Sequence, residues 1–317
     1  MKINLSPLYG NGAHRYELVP DWAQPESTDS FVDVVGLSVD AQDRIYVFNR
    51  SSHPVIVLDS SGRQLSCWGE GRFGRPHGSC LAPDGCIYCT DDYRHMVYRF
   101  TTGGEQLMAL GQPDQPSDTG HRPGFDIFER VASIERAGPP FNQPTGVAVS
   151  CTGAIFVSDG YGNARVHRFN ASGEHLLSWG EPGGCPGQFR LPHNLWVDHE
   201  DRVWVADREN HRIQIFTAEG AFLDQWTDVM RPTHIFMDAD GMVYVSELVR
   251  RISIFSPDGT LVARWGNEHH SVDHPLLYGP HVMVTDSRGD LYVGEVAQSY
   301  GKVDRGTNTL QKFARVG

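Results

Sequence analysis

Short apolar strands alternate with polar turns along most of the chain, and the alternation recurs as a larger unit. Each unit has an apolar strand, a turn with Asp or Gly, and a second strand that begins near an aromatic residue. Strict two-residue alternation, as in residues 212–216, is typical of a half-buried β-strand. A unit of roughly 40–48 residues with several short strands is typical of one propeller blade. The aromatic residue recurs six times, at Tyr46, Tyr88, Phe156, Trp204, Tyr244 and Tyr292.

Six copies predict an all-β fold, a six-bladed β-propeller in which residues 1–317 form a single domain. The segment 16–22 resembles the last strand of a blade, while the sixth copy ends near Phe313. Pairing of these two segments would close the ring and remove two open sheet edges. Repeats can also build a linear solenoid, but the displaced N-terminal strand favours the closed ring.

Two insertions interrupt the repeat, at residues 112–141 and 267–279. In the first, Phe125, Phe128, Val131 and Ile134 recur at helical spacing, which predicts a short amphipathic helix. Long loops in compact domains are often functional, so both insertions are candidate lids over a site. Surface decoration is the equally weighted alternative.

Charge and composition narrow the possible partners. The net charge is −12 and the basic residues are scattered, which argues against nucleic acid and against an anionic membrane surface. No apolar run has the length of a membrane span, and the N-terminus shows no secretory signal. Six cysteines lack the spacing of a disulfide framework, so we expect a cytoplasmic protein with reduced thiols.

One position in each unit carries the candidate chemistry. It lies 11 residues before the aromatic residue, and five of its six members follow a proline. Because the spacing is constant, these residues should be structurally equivalent and should open the innermost strand beside the central channel. They are Val35, His77, Thr145, His193, Thr233 and His281.

Histidine occupies this position in alternate units, so three imidazoles should converge on the axis. Three histidines with an open fourth position suit catalytic Zn²⁺, although another divalent metal would also fit. Histidines in a polar channel can instead be purely structural, but strict alternation of His77, His193 and His281 favours a metal. His234 lies one residue further along its strand and should point to the other face, so we exclude it.

The loop after each second strand should share the face of the histidines. These loops could place Arg50, Tyr93, Tyr161 and Arg208 around the metal. An arginine can hold a carboxylate through two parallel hydrogen bonds, and Tyr93 is a further candidate for substrate binding. Positive charge favours the phenolate form of a tyrosine, so a tyrosine there could act as a general base. The acids that recur in these loops are expected to brace them.

Residues 140–216 resemble the peptidyl-α-hydroxyglycine α-amidating lyases, which are six-bladed propellers built from NHL repeats. The resemblance rests on QPTGVAV at 143–149, FVSDGYGNAR at 156–165, PH at 192–193 and VADREN at 205–210. It implies that His77, His193 and His281 bind zinc. It also implies that Tyr161 takes a proton from the substrate hydroxyl while Arg50 and Arg208 hold the substrate carboxylate.

The reaction implied by the resemblance breaks the C–N bond of an α-hydroxyglycine and yields an amide and glyoxylate. Three positions depart from the family. Val282 replaces an aspartate that binds calcium, which argues against a structural Ca²⁺, Gly279 replaces a methionine, and Gly162 replaces a disulfide cysteine.

The substrate is expected to be a peptide or a small molecule ending in an α-hydroxy acid, such as a carbinolamide or a ureido-hydroxy acid. A metal-dependent hydrolase or isomerase of an α-hydroxy acid or lactone is the first alternative. A non-enzymatic NHL scaffold is the second.

Overall fold

The chain folds as a six-bladed β-propeller, which confirms the prediction from the repeat. The computed structural model describes residues 7–26, 31–267 and 275–316. In every blade the strands are antiparallel neighbours, and the first strand lies innermost. Among the described residues, no helix has the length and hydropathy needed to cross a bilayer.

The first three blades follow the chain order. Two N-terminal strands, β1 (Leu8–Asn11) and β2 (His14–Val19), precede them. Blade 1 contains β3 (Val34–Val39), β4 (Ile45–Asn49), β5 (Val55–Leu58) and β6 (Gln64–Trp68). Blade 2 contains β7 (Pro76–Leu81), β8 (Ile87–Asp91), β9 (Met96–Phe100) and β10 (Gln106–Gly111). After helix α1 (Ile127–Ala132), blade 3 contains β11 (Pro144–Val149), β12 (Ile155–Asp159), β13 (Arg165–Phe169) and β14 (His175–Trp179).

The remaining blades complete the circle. Blade 4 contains β15 (Pro192–Val197), β16 (Val203–Asp207), β17 (Arg212–Phe216) and β18 (Phe222–Trp226). Blade 5 contains β19 (Pro232–Met237), β20 (Val243–Glu247), β21 (Arg251–Phe255) and β22 (Leu261–Trp265). Blade 6 contains β23 (Pro280–Thr285), β24 (Leu291–Glu295) and β25 (Leu310–Arg315). Short 3₁₀ turns lie at Arg208–Asn210 and Gly306–Thr309.

The N-terminal strand closes the ring, as predicted. Strand β2 pairs with β25, with Leu18 opposite Phe313, and β1 extends the same sheet outwards. The sixth sheet is therefore made from both ends of the described chain. This pairing satisfies the backbone groups that an open edge would leave exposed.

Apolar side chains fill the spaces between blades. One buried cluster lies at each of the six interfaces between neighbouring blades. The repeated aromatic residues are part of them, and Tyr244 and Tyr292 are fully buried. Each blade has two apolar faces and needs a neighbour on both sides, which is why repeated sheets of this kind close into a ring.

A β-bulge lies at the start of every innermost strand. The strand register shifts after the first residue in all six blades, and each shift includes the repeated candidate position. His77, His193 and His281 therefore stand in bulges. A bulge leaves one residue outside the regular ladder and re-aims its side chain, here towards the axis.

Candidate metal centre and active site

Three histidine side chains meet on the propeller axis. The ring centroids of His77, His193 and His281 lie 4.8–5.0 Å apart, so the rings form a nearly equilateral triangle. One ring nitrogen of each lies within 4.8 Å of the others. All three side chains are buried. The structure thus brings together the three residues that the repeat singled out.

The backbone of the next blade orients two of these rings. His77 Nδ1 donates to the carbonyl oxygen of Thr145 at 2.6 Å, and His193 Nδ1 donates to that of Thr233 at 2.7 Å. Because a carbonyl only accepts, these Nδ1 atoms carry the proton and each Nε2 keeps its lone pair. The backbone of Val35 is the corresponding neighbour of His281, but His281 Nδ1 has no partner with hydrogen-bond geometry.

A belt of hydrogen bonds connects the blades at the same level. The hydroxyls of Thr145 and Thr233 donate to the proline carbonyl that precedes the next histidine, at 2.6 and 2.9 Å. Val35 has no hydroxyl, and in its place Arg50 Nε donates to the Pro76 carbonyl at 3.0 Å. These hydrogen bonds come from the three blades without an axial histidine, and they fix the prolines that precede the histidines.

Burial and nearby positive charge keep the imidazoles neutral. Burial is the largest cause that holds the pKa of each histidine well below its usual value of 6.5. The guanidiniums of Arg50, Arg75 and Arg208 and neighbouring histidines lower it further. A neutral imidazole with a free Nε2 is the form that binds a metal. Three such groups, with no carboxylate among them, are compatible with a divalent ion such as Zn²⁺.

Tyr161 is the tyrosine that reaches this centre. Its hydroxyl hydrogen-bonds to His77 Nε2 at 3.0 Å and to His193 Nε2 at 3.3 Å. Arg208 donates to the same oxygen at 3.4 Å, and its guanidinium lies 5.6 Å from the ring centroid. The Tyr161 oxygen therefore lies directly beside the nitrogen lone pairs that a metal would use.

Arginines line the cavity above the histidines. The cavity has a volume of about 190 Å³, and its walls include His281 and Tyr161. Although the chain carries a net charge of −12, the basic residues on this wall outnumber the acids paired with them. Such a site attracts a small carboxylate. The five guanidiniums belong to Arg50, Arg75, Arg130, Arg208 and Arg231.

Three buried acids hold these arginines. Asp33 pairs with Arg50 at 3.0 Å, while Glu209 bonds both Arg208 and Arg231 at 2.8 Å. Burial alone would raise the pKa of Glu209, but Arg208 and Arg231 hold it below its usual value. Five guanidiniums thus face three acids, and the excess positive charge is left for a ligand.

The third acid is Asp92, which the sequence analysis did not single out. It lies 3.1 Å from Arg75 without hydrogen-bond geometry, and both of its oxygens are buried without a hydrogen bond. Burial raises its pKa to about 6 against the opposing charge of Arg75.

The structure does not bring Tyr93 to the cavity, contrary to the expectation. Its side chain is 67 % exposed, and it is absent from the cavity wall. Tyr93 and Tyr161 occupy the same loop position, two residues after the acid that pairs with the strand-opening proline. In blade 2 Asp92 fills the inward position, whereas in blade 3 that position is Gly160. A Cβ on Gly160 would lie 2.3 Å from the Pro192 carbonyl oxygen, so only glycine allows this close approach.

The first insertion covers part of the site. Helix α1 is shorter than the apolar spacing predicted, and Phe125 and Phe128 are exposed on it or beside it. Ile127 and Arg130 of the helix line the cavity, so this insertion contributes to the cavity wall. Of the second insertion, the described residues do not line the cavity, and His269, His270 and His274 lie outside the described residues.

The first insertion also braces the loop that carries Tyr161. Thr119 donates to the Gly162 carbonyl at 2.6 Å, and Asn163 exchanges hydrogen bonds with the backbone of Gly138. A Cβ on Gly162 would lie 2.1 Å from Asn142 Oδ1. Gly162 stands where the resembling family has a disulfide cysteine, and it packs against polar groups in and beside the insertion.

The recurring loop acids brace backbone, as expected. Asp91 accepts from the amides of Gly74 and Arg75, and Glu295 accepts from that of Gly279 at 2.9 Å. Val282, at the position of the family's calcium-binding aspartate, is buried in the apolar cluster between blades 6 and 1.

Three of the cavity arginines were not predicted from the sequence. Arg75 and Arg231 each stand two residues before the repeated axial position, in the strings Arg-Pro-His and Arg-Pro-Thr. The same constant spacing that identified the histidines would have placed both at the channel mouth. Arg130 belongs to the insertion, which has no counterpart in the other blades, so the spacing of the repeat could not predict its position.

His234 faces a different part of the channel, as predicted. It lines a separate cavity with Asn194 and Phe236, and its Nδ1 has no hydrogen-bond partner. Burial lowers its pKa to about 3.

Replacing His234 by glutamine is expected to flatten the acid side of the stability profile. The folded pKa is depressed, so this contribution is present above the unfolded value near 6.5 and is lost as pH falls towards 3. Between pH 7 and pH 5 the wild type should lose about 2 kcal/mol of unfolding free energy that His234→Gln keeps. Urea unfolding at both pH values measures this difference.

His199→Gln is the matched control, since the His199 side chain is 84 % exposed. It should follow the wild type. Equal losses in all three proteins would contradict the assignment of this pH dependence to His234.

A second group of possible ligands lies at the end of blade 1. One atom each of His53, Cys67 and Glu70 lies within 4.8 Å of the others. The side chains of His53 and Glu70 are 29 % and 53 % exposed, so water competes for them. The fully buried histidine triangle is the better metal centre.

Comparisons with known proteins agree with the fold. The NHL repeat family matches residues 141–169 and 189–216. Peptidyl-alpha-hydroxyglycine alpha-amidating lyase 2 of Drosophila melanogaster is 26% identical over 338 residues, covering 93% of this chain and 75% of that protein. The chain is a propeller that contains NHL repeats and is similar to the amidating lyases.

Other relatives of this amidating-lyase-like propeller have longer chains or different names. Peptidyl-glycine alpha-amidating monooxygenase A of Xenopus laevis is 34% identical over 226 residues, which are 61% of this chain and 22% of that protein. The match thus spans about a fifth of that relative's length. NHL repeat-containing protein 3 of Mus musculus is 26% identical over 289 residues, covering 85% of this chain and 75% of that protein.

Solved structures support the fold alone. A streptogramin B lyase superposes with a TM-score of 0.59 at 14% identity, covering 98% of this chain and 88% of that one. A gluconolactonase from Xanthomonas campestris superposes with a TM-score of 0.61 at 14% identity, covering 98% and 95%.

Proposed function

We propose that this protein is a metal-dependent carbon–nitrogen lyase that converts an N-acyl α-hydroxyglycine into an amide and glyoxylate. The observation that carries the proposal is the position of the Tyr161 oxygen. It lies between two neutral histidine nitrogens and a buried arginine, at the floor of a cavity rich in guanidiniums. The similarity to amidating lyases supports the same reaction class.

The residues of the chain supply binding and proton transfer. Arg50 and Arg208, on opposite sides of the cavity, are placed to hold the substrate carboxylate. This would set the α-hydroxyl over Tyr161, which removes its proton. The C–N bond then breaks, its electron pair goes to nitrogen, and the proton passes from Tyr161 to the amide. The reaction is redox-neutral and needs no co-reactant.

His77, His193 and His281 would hold the metal ion. A divalent ion there would act as a Lewis acid that stabilises negative charge on the substrate oxygen. The neighbouring carbonyls fix the rings of His77 and His193, so these two ligands are oriented before any ion binds. Zn²⁺ is the ion that this donor set favours.

Metal-replete protein is expected to release glyoxylate and benzamide in equal amounts from α-hydroxyhippurate. Because this compound also breaks down without an enzyme, buffer alone and heat-inactivated protein are the controls. Colorimetric glyoxylate assay and chromatography of benzamide measure the two products. A rate no higher than the controls, with metal bound, would contradict the proposal for this substrate.

A hydrolase of lactones or hydroxy acids is the alternative use of the same cavity. Such an enzyme would release an acid without breaking a C–N bond, so a lactone panel assayed by acid release distinguishes the two. The donor set of three histidines lacks a carboxylate and gives the alternative no specific support.

A further inference from the structure

A second recess lies on the other side of helix α1 from the arginine-lined cavity. We call it the side groove, and it has a volume of about 630 Å³. Its apolar wall is formed by Phe128, Val131, Ala132, Ile134, Pro182 and Phe189. The groove runs between the first insertion and the loop that leads into blade 4.

Helix α1 is the wall that the two spaces share. Ile127 and Arg130, three residues apart, face the cavity. Phe128 and Val131, also three residues apart, face the side groove. Residues with this spacing lie on one side of a helix, so the two pairs divide its surface between the two spaces.

Two contacts connect the cavity to the side groove. The Arg231 guanidinium lines the cavity and lies 5.3 Å from the ring centroid of Phe128, which lines the groove. Glu209 lines the groove and bonds both Arg208 and Arg231. The cavity and the side groove therefore adjoin at Arg231, Phe128 and Glu209.

The volumes of the cavity and of the side groove indicate which part of the substrate each would bind. Pockets for drug-sized ligands are roughly 300–1,000 Å³, so the cavity of about 190 Å³ suits only the hydroxyglycine end. The groove of about 630 Å³ falls within that range. Phe128 is 57 % exposed and shares the groove with five other apolar residues of its wall, a lining typical of ligand pockets.

We infer that the side groove binds the residue before the hydroxyglycine of a peptide substrate, and that it prefers an aromatic or large aliphatic side chain there. This rests on the proposed function. Arg190, Glu209 and His211 stand at the polar edge of the groove, where they can bond peptide N–H and C=O groups. A peptide uses both this polar edge and the apolar wall, whereas a plain alkyl chain uses only the wall.

The test compares N-acetyl-Phe-α-hydroxyglycine with N-acetyl-Ala-α-hydroxyglycine as substrates. The wild type should prefer the phenylalanine substrate about tenfold or more in kcat/KM, as apolar pockets discriminate side chains by about 10- to 200-fold. In Phe128→Ser and in Val131→Ser this ratio should fall towards one. Phe125→Ser is the matched control, because Phe125 is fully exposed and does not line the groove, and it should keep the wild-type ratio.

A ratio near one in the wild type, with glyoxylate released, would overturn the inference and leave the lyase proposal standing. In the opposite case the groove binds the side chain but the protein is not a lyase. Calorimetric binding of N-acetyl-Phe-Gly and N-acetyl-Ala-Gly, which lack the hydroxyl and are not cleaved, tests this case. If no substrate is cleaved but the phenylalanine peptide binds about tenfold more tightly, and Phe128→Ser removes this difference, the groove stands and the lyase proposal fails. Equal affinities would overturn the inference.

Discussion

Replacing His193 by alanine is expected to remove the bound metal and to lower lyase turnover by at least about a thousandfold. A metal ion supplies several kcal/mol of transition-state stabilisation, and each 1.4 kcal/mol is a factor of about ten in rate. His193 is buried, its Nδ1 is fixed by Thr233, and its ring is equidistant from the other two. Two remaining histidines leave an incomplete donor set.

Elemental analysis of the purified variant measures the metal, and glyoxylate release measures turnover. His234→Gln is the control, because His234 is also buried but faces another cavity, and it should keep both metal and activity. Cys67→Ser tests whether the cluster in blade 1 contributes to the metal count, and we expect no change. Full metal content in His193→Ala would contradict the assignment of the centre.

Replacing Tyr161 by phenylalanine is expected to leave the metal in place while turnover falls by about 10²- to 10⁴-fold, the usual contribution of a positioned acid or base. The change removes only the hydroxyl that bonds His77, His193 and Arg208. The ring stays, so the guanidiniums packed over it keep their support. Because the carboxylate is held by arginines, KM should change much less than kcat.

Tyr93→Phe is the matched control for this prediction. Tyr93 stands at the same loop position in blade 2 but is exposed, and its variant should retain wild-type kcat. Steady-state kinetics with α-hydroxyhippurate and metal analysis of both variants provide the measurements. A Tyr161→Phe enzyme within about threefold of the wild-type rate would show that another group moves the proton.

The sequence was sufficient for the fold and for the histidine triangle. Six copies of the repeat predicted six blades, and histidine at one fixed position of alternate copies predicted convergence on the axis. The same register would also have reached Arg75 and Arg231. These features follow from period alone, since equivalent positions of a repeat occupy equivalent places around a ring.

The choice between two tyrosines lay beyond the sequence pattern. Tyr93 and Tyr161 stand at the same position of the repeat. Each directly follows the loop position that faces the channel in its blade. Asp92 occupies that position and pairs with Arg75, whereas Gly160 allows the loop before Tyr161 to approach the Pro192 carbonyl of blade 4. Which side chain enters a channel depends on the space left by its neighbours, and spacing does not encode that space.

By itself, the sequence determined the repeat, the ring closed by the N-terminal strand and the three histidines at one register. Only the tertiary structure decided how the histidine side chains are oriented and what surrounds them. A bulge in each inner strand re-aims the histidines, and carbonyls of neighbouring blades orient two of their rings. The insertion at 112–141 adds Arg130 and the wall between cavity and groove. These features depend on contacts between residues far apart in the chain, whereas the repeat is a local pattern.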